Sequence, residues 1–153
     1  MHIEEKLKAM GYDIAPAALG QGKIEPAVRT GHLVFTSGQV SQRGEEAYIG
    51  KVGSDLTVEQ GYAAARLCAL NCLSAIKAVV GDLDKVTRVV KVLGMVNAAD
   101  GFTQTPEVIH GCTDLLNDLF GASGRHARSA VGLYQLPRNY AVEIEVIVEV
   151  REL

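Results

Sequence analysis

The sequence contains no tryptophan, and aromatic residues make up only 5% of it. Proteins that bind single-stranded nucleic acid usually stack the bases on aromatic side chains within a basic groove. The formal net charge of −3 and the pI of about 5.8 provide no general attraction for a polyanion. Both features argue against nucleic acid as a partner.

Cysteine is also scarce, with Cys68, Cys72 and Cys112 the three thiols of the chain. An odd number without framework spacing indicates reduced thiols, which are typical of the cytoplasm. Cys68 and Cys72 are four residues apart in a predicted helix and could in principle face one metal ion. Because their neighbours are Ala and Leu and no histidine is near in sequence, we interpret them as core residues. We therefore expect no metal site and a cytoplasmic protein.

Long apolar runs and several common catalytic motifs are missing. Arg66, Asn71 and Lys77 interrupt the longest apolar stretch, so we expect no membrane span. The first residues are charged and amphipathic, unlike a signal peptide. A phosphate-cradling glycine loop, an HExxH pair and a Gly-x-Ser-x-Gly turn are absent. The signatures of P-loop enzymes, zinc proteases and α/β-hydrolases are thereby excluded.

What remains is an alternation of strand-like and helix-like segments. Strands are predicted at residues 27–31, 32–36, 48–52 and 86–97. Helices are predicted at residues 2–10, 57–80 and 105–119. Thr57 and Gln60 have the spacing of a capping box, and Thr105 before Pro106 is typical of a helix cap. Residues 41–46 are polar and predict a surface loop.

The last third of the chain holds two further strand-like runs, residues 126–134 and 142–150. The break between them, residues 135–139, predicts the turn of an antiparallel hairpin. The second run alternates apolar residues with Glu143, Glu145 and Glu149, which is typical of a strand with one buried face. The whole pattern predicts one α+β domain over residues 1–153. It would have a mixed sheet, two main helices on one face and an extra N-terminal helix.

Arg128 is the most suggestive residue of this hairpin because Ala130 and Gly132, on the same strand face, leave room beside its guanidinium. A guanidinium binds a carboxylate in a fixed bidentate geometry. The predicted register puts Glu143 opposite Gly132, roughly 13 Å along the strands from Arg128. A small acid could lie between them, with Glu143 orienting water. Charges on alternate strand positions are, however, usually a solvated face. His126 is the one histidine kept as a further candidate.

Two groups of residues form a recognisable pattern when taken in order. The first is Val34-Phe-Thr-Ser-Gly-Gln39, and the second comprises Arg128-Ser-Ala-Val131, Leu136-Pro137 and Val142-Glu-Ile-Glu145. Together they resemble the YjgF/RidA family, also called endoribonuclease L-PSP or translation inhibitor. The resemblance implies a chorismate-mutase-like α+β fold and a homotrimer with clefts between subunits. It also implies hydrolysis of reactive 2-imino and enamine acids to 2-keto acids and ammonia, without a cofactor.

The same resemblance assigns roles to individual residues. Arg128 matches the arginine that binds the substrate carboxylate, Glu143 the glutamate that positions water, and Gly38 a glycine lining the pocket. Ala130 stands where active deaminases usually carry a cysteine, and Ile24 where they usually carry a tyrosine. These departures indicate a divergent branch whose substrate differs.

Three functions are therefore open. The first is a deaminase of small 2-imino acids that uses Arg128 and Glu143. The second is a non-catalytic trimer that binds a small carboxylate as a sensor or scavenger, which Ala130 and Ile24 favour. The third, an endoribonuclease or translation inhibitor, ranks last because of the acidic charge balance.

Overall fold

The computed structural model describes residues 2–152 of the chain. The strands are β1 (Ala27–Thr30), β2 (Leu33–Thr36), β3 (Gln39–Val40), β4 (Gln42–Arg43), β5 (Glu46–Ala47), β6 (Val86–Asn97), β7 (Ala127–Leu133) and β8 (Val142–Val150). The helices are α1 (Ile3–Ala9), α2 (Val58–Val80) and α3 (Thr105–Phe120). A mixed sheet with the two main helices and an extra N-terminal helix confirms the predicted fold class.

The main sheet has the order β1-β2-β8-β6-β7, and β3 pairs with β8 beside it. Strands β6 and β7 are parallel and joined through α3, whereas β6 and β8 are antiparallel. The predicted hairpin of β7 and β8 is therefore wrong, because β6 lies between them. Residues 134–141 between the strands are long enough to pass the end of β6. Glu143 consequently pairs with Met95 and Val40, not with Gly132.

Alternation along the strands gives the sheet two different faces. On β8 the even positions from Val142 to Val150 are buried under the helices, and we call this side the helix face. The opposite side carries Glu143, Glu145, Ile147 and Glu149, and we call it the open face, since no helix of the described chain covers it. Directly paired residues share a face, so the register assigns the faces of β6 and β7 as well.

Helix α2 crosses the helix face and forms the centre of the core. The predicted capping box is present: the Thr57 hydroxyl accepts from the Gln60 amide at 3.1 Å, and the Gln60 side chain accepts from the Thr57 amide at 2.9 Å. By length and composition alone, the helix is long and apolar enough to cross a membrane. However, 67% of its most apolar stretch is buried inside the protein, as expected for a core helix.

Helix α3 packs against α2 at very short range. A Cβ atom at Gly111 would overlap the carbonyl oxygen of Tyr62 and would lie 2.9 Å from its carbonyl carbon. Only glycine lets the two backbones approach this closely. The same packing turns the opposite side of α3 toward the start of β7, where Arg128 lies.

Three smaller predictions also need correction. Residues 48–52 form isolated bridges at Ile49 and Val52 rather than an edge strand. The 41–46 loop contains the two-stranded ribbon of β4 and β5. The N-cap of α3 is Gln104, because the Thr105 hydroxyl instead donates to the carbonyl of Ala130 at 3.0 Å.

Candidate functional site

Arg128 lies on β7 at the edge of the sheet, and its side chain is on the helix face. In the register it is level with Val92 and Val146, both buried beneath the helices. Its Nη1 donates to Nδ1 of His110 at 2.9 Å and to the Thr113 hydroxyl at 3.1 Å, both on α3. Within residues 2–152 its Nε and Nη2 groups have no protein partner. That edge of the guanidinium is the one that binds a carboxylate side-on.

These contacts determine the proton positions on the two histidines beside Arg128. A guanidinium is always a donor, so Nδ1 of His110 accepts and the ring proton is on Nε2. His126 Nδ1 donates to the Gly124 carbonyl at 2.6 Å, and its Nε2 lies 3.0 Å from the Thr113 hydroxyl. Burial, and to a smaller extent the Arg128 charge, lowers the pKa of His126. The lowered pKa favours the neutral ring, in which Nε2 accepts from the Thr113 hydroxyl.

An open cavity of about 540 Å³ surrounds the Arg128 guanidinium. We call it the arginine cavity; it is lined by Arg88, His110, Thr113, Asn117, Arg125, His126, Ala127 and Arg128. Three of these residues are arginines and none is acidic. The cavity is therefore suited to an anion, in a chain that is acidic overall.

Glu143 lies on the open face of β8 and is half-buried. Its carboxylate covers Gly38, where a Cβ atom would overlap Oε2 and would lie 2.9 Å from Cδ. Burial, and secondarily the negative charge of Glu145, raises the pKa of Glu143. A carboxylate in this environment is a stronger proton acceptor once it is ionised.

Ile24 belongs to the same region as Gly38. Ser37 connects them, since its amide donates to the Pro26 carbonyl at 2.8 Å and its hydroxyl to the Glu25 carbonyl at 2.6 Å. The Ile24 side chain is 74% exposed, so it is available to contact a ligand or another chain. We call Ile24, Gly38 and Glu143 the glutamate site.

The arginine cavity and the glutamate site do not meet within one chain. Arg128 and Glu143 are two strands apart and three residues out of register, so their backbones are roughly 14 Å apart. Their side chains are also on opposite faces of the sheet. The predicted pairing of Arg128 with Glu143 within one hairpin is therefore wrong.

Ala130 lies two residues after Arg128 on the same face and packs against the core. It offers no nucleophile. The three cysteines do not replace one, because all are buried and burial raises the pKa of each thiol, that of Cys72 to about 12. Within residues 2–152 no group of three His, Cys, Asp or Glu side chains could hold a metal ion.

Sequence reasoning found Arg128 but missed most of its surroundings. His110, Thr113 and Asn117 recur at helical spacing beside the apolar stripe of α3, which was a usable signal for one polar face. Nothing in the sequence around Arg88 or Arg125 indicates that either residue belongs to this cavity. They reach the cavity only because β6 and β7 are neighbours.

Comparison with known proteins gives consistent matches over almost the whole chain. The description YjgF/chorismate mutase-like, putative endoribonuclease applies to the family that matches residues 4–150. Protein TCP17 of Trypanosoma cruzi is 40% identical over 149 residues, which cover 96% of this chain and 93% of TCP17.

Solved structures agree. The protein Atu1372 of Agrobacterium tumefaciens, of unknown function, superposes with a TM-score of 0.89 at 39% identity, covering 97% of this chain and 93% of Atu1372. A putative endoribonuclease from Shewanella oneidensis MR-1 superposes with a TM-score of 0.91 at 30% identity, covering 98% of this chain and 100% of the Shewanella chain. The YjgF gene product of E. coli superposes with a TM-score of 0.61 at 25% identity, covering 90% of this chain and 94% of the E. coli chain.

Proposed function

The chain belongs to the YjgF/chorismate mutase-like, putative endoribonuclease family, and from this we propose that it hydrolyses small reactive 2-imino or enamine acids to 2-keto acids and ammonia. We propose further that the reaction takes place between subunits of a homotrimer. Arg128 of one protomer would hold the substrate carboxylate, and Glu143 of its neighbour would orient the attacking water.

The observation that carries this proposal is the separation of the two functional groups. One chain offers a guanidinium with a free edge on the helix face and a carboxylate with a raised pKa on the open face. No ligand of a few atoms can touch both in the same protomer. A second copy that docks its open face near the arginine cavity supplies the missing group.

The open face has the character of a subunit interface. It exposes Phe35 at 36% and Val131 at 41%, and partly exposed Leu93, Met95 and Ile147 lie between them. An apolar strip of this kind is unusual on the surface of a monomer. Covering it with a second copy removes it from water and desolvates Glu143 further.

The chemistry needs few groups because the imine carbon is already electrophilic. Water bonds to that carbon while Glu143 takes one of its protons and passes it to the nitrogen. The resulting carbinolamine loses its C–N bond as the hydroxyl proton moves to nitrogen, so ammonia leaves and the 2-keto acid remains. Positioning by Arg128 supplies most of the acceleration. No step calls for a thiol at Ala130, nor for a cofactor.

The test is the release of ammonia from freshly generated 2-iminopropanoate, measured above the uncatalysed rate. We expect Arg128→Gln to lower kcat/KM about 10- to 100-fold, the effect of losing charge-assisted hydrogen bonds to one carboxylate. Arg29→Gln is the matched control, because Arg29 lies on β1 at the far edge of the sheet. Equal rates for wild type and Arg128→Gln would overturn the proposal.

A second candidate is a trimer that binds a small carboxylate without turning it over, as a sensor or scavenger. Ala130 favours it, since active relatives usually carry a cysteine there. Ile24, in place of a tyrosine, removes a further polar group from the glutamate site. Binding of pyruvate that depends on Arg128, without turnover of any imine tested, would select this candidate.

Endoribonuclease activity ranks third, although the family description includes it. The residues that line the arginine cavity include no Phe, Tyr or Trp on which a base could stack. The buried thiols agree with a cytoplasmic location, which we propose for the protein.

A further inference from the structure

The arginine cavity contains more positive charge than one carboxylate requires. Arg88 and Arg125 line it together with Arg128, and no acidic side chain does. Within the described part of the chain none of the three forms an ion pair. Arginine remains protonated at any physiological pH, so three like charges line one open volume. Glu149, the strand partner of Arg88, forms no ion pair with it.

The three arginines of the cavity fall into two groups by their contacts. Arg125 precedes Arg128 by three residues, which is roughly 10 Å of extended chain. Nη2 of Arg88 donates to the Arg125 carbonyl at 3.3 Å, so the Arg88 guanidinium lies beside the Arg125 backbone. Arg128 forms one anion-binding group, next to His110 and Thr113. Arg88 and Arg125 form the other.

Arginines at a surface are often only solvated, but two observations distinguish the part of the cavity around Arg88 and Arg125. Apart from the one bond of Arg88 to a carbonyl, neither side chain has a hydrogen bond to protein atoms among residues 2–152. In the same cavity wall, Oδ1 of Asn117 is buried without a hydrogen-bond partner. An unpaired buried acceptor is costly, so this wall of the cavity is short of hydrogen-bond donors from the protein.

We propose that the arginine cavity selects substrates with a second carboxylate, so that the preferred ligands are 2-imino and 2-keto dicarboxylic acids. Arg128 binds the carboxylate next to the reacting carbon, and Arg88 and Arg125 bind the distal one. This inference rests on the proposed function, because it takes the Arg128 end as the reacting end. Arg88 and Arg125 are then specificity-determining residues rather than catalytic ones.

Two five-carbon ligands test the proposal, 2-oxoglutarate and 2-oxopentanoate, which differ only in a terminal carboxylate against a methyl group. We expect calorimetry on the wild-type protein to give at least about tenfold tighter binding of 2-oxoglutarate, the effect of one added charge-assisted contact. In the Arg88→Gln/Arg125→Gln double variant the affinity ratio should fall close to one, because the loss of affinity falls mainly on 2-oxoglutarate. Arg29→Gln should preserve the ratio.

A second measurement needs no variant: raising the ionic strength should lower the wild-type affinity ratio toward one, since exposed charges are screened. A wild-type ratio of one, or a ratio that survives in the double variant, overturns the inference. Imine turnover together with a ratio of one contradicts only the dicarboxylate preference. A high ratio without imine turnover contradicts only the reaction. If neither ligand binds, the dicarboxylate preference is wrong, and imine turnover decides the reaction separately.

Discussion

The absence of a side chain at Gly38 determines where the Glu143 carboxylate lies. The carboxylate of Glu143 occupies the space that any side chain at residue 38 would need. A glycine there allows the carboxylate to lie against the backbone and keeps it half-buried. Its raised pKa follows from that burial.

Gly38→Ala should therefore displace the Glu143 carboxylate rather than unfold the protein. Because misplacing a catalytic group by about 1 Å can cost 100-fold, we expect kcat/KM to fall about 10- to 100-fold. The melting temperature should change little, since the side chain can turn toward the open face. Gly22→Ala is the matched control, as a Cβ there meets nothing within 4 Å. Full activity in Gly38→Ala would show that the carboxylate does not act from this position.

The pH dependence of turnover reports on the same residue. If Glu143 is the base, kcat/KM should fall as pH drops through its pKa, which lies above the usual glutamate value of 4.5. Glu145→Gln removes a neighbouring negative charge that disfavours ionisation, so the acidic limb should shift to lower pH. Glu149→Gln, farther along the open face, should leave the limb in place. A limb that does not respond to Glu145→Gln would argue against Glu143 as the titrating group.

At the scale of elements, the segment between β3 and β5 is attached to the start of β8 by one buried hydroxyl. Ser41 is 0% exposed, and its Oγ donates to the Tyr48 carbonyl at 2.8 Å. It also accepts from the amides of Ala141 at 3.2 Å and Val142 at 3.4 Å. This connection holds the strand residue that immediately precedes Glu143.

Ser41→Ala should lower the free energy of unfolding by about 1–3 kcal/mol, because it leaves a buried backbone amide without an acceptor. Urea denaturation measures the change, which should appear in the midpoint and leave the m-value as in wild type. Ser54→Ala, at an exposed position, should change the stability by less than about 0.5 kcal/mol. Equal stability of the two variants would mean that water replaces the lost hydroxyl.

The elements themselves could be predicted well from the sequence, but their neighbours could not. The capping box at Thr57 and Gln60 and the β-branched run of β6 are local signals, and the structure contains both elements where they were predicted. Alternation along β8 identifies its buried face but says nothing about which strand lies beside it. Two adjacent strand-like runs predict a hairpin by default, and only the sheet order shows that β6 intervenes.

At the scale of the whole molecule, the same limit applies to the site. Arg128 could be identified because its small neighbours are close in sequence. The arginine cavity could not, since its walls come from β6, α3 and the start of β7, which are distant in sequence. Nor could periodicity show that Arg128 and Glu143 are on opposite faces, because that depends on the register across β6.

Under the proposed function, the molecule's two faces carry one complete site divided between copies of the chain. The helix face ends in the arginine cavity at one edge, and the open face presents the glutamate site among apolar residues. Closed cyclic assembly brings the same two surfaces together at every interface. A homotrimer would contain three equivalent sites and leave no half-site unused.

Mixing two inactive variants tests this division most directly. Arg128→Gln keeps Glu143, and Glu143→Gln keeps Arg128, so each alone should have little activity against 2-iminopropanoate. After subunit exchange at equal amounts, about one interface in four joins an intact Arg128 to an intact Glu143, assuming random cyclic assembly. We therefore expect the mixture to recover about a quarter of wild-type activity, with the oligomeric state checked by light scattering. An exchanged mixture that remains as inactive as its components would contradict an intersubunit site.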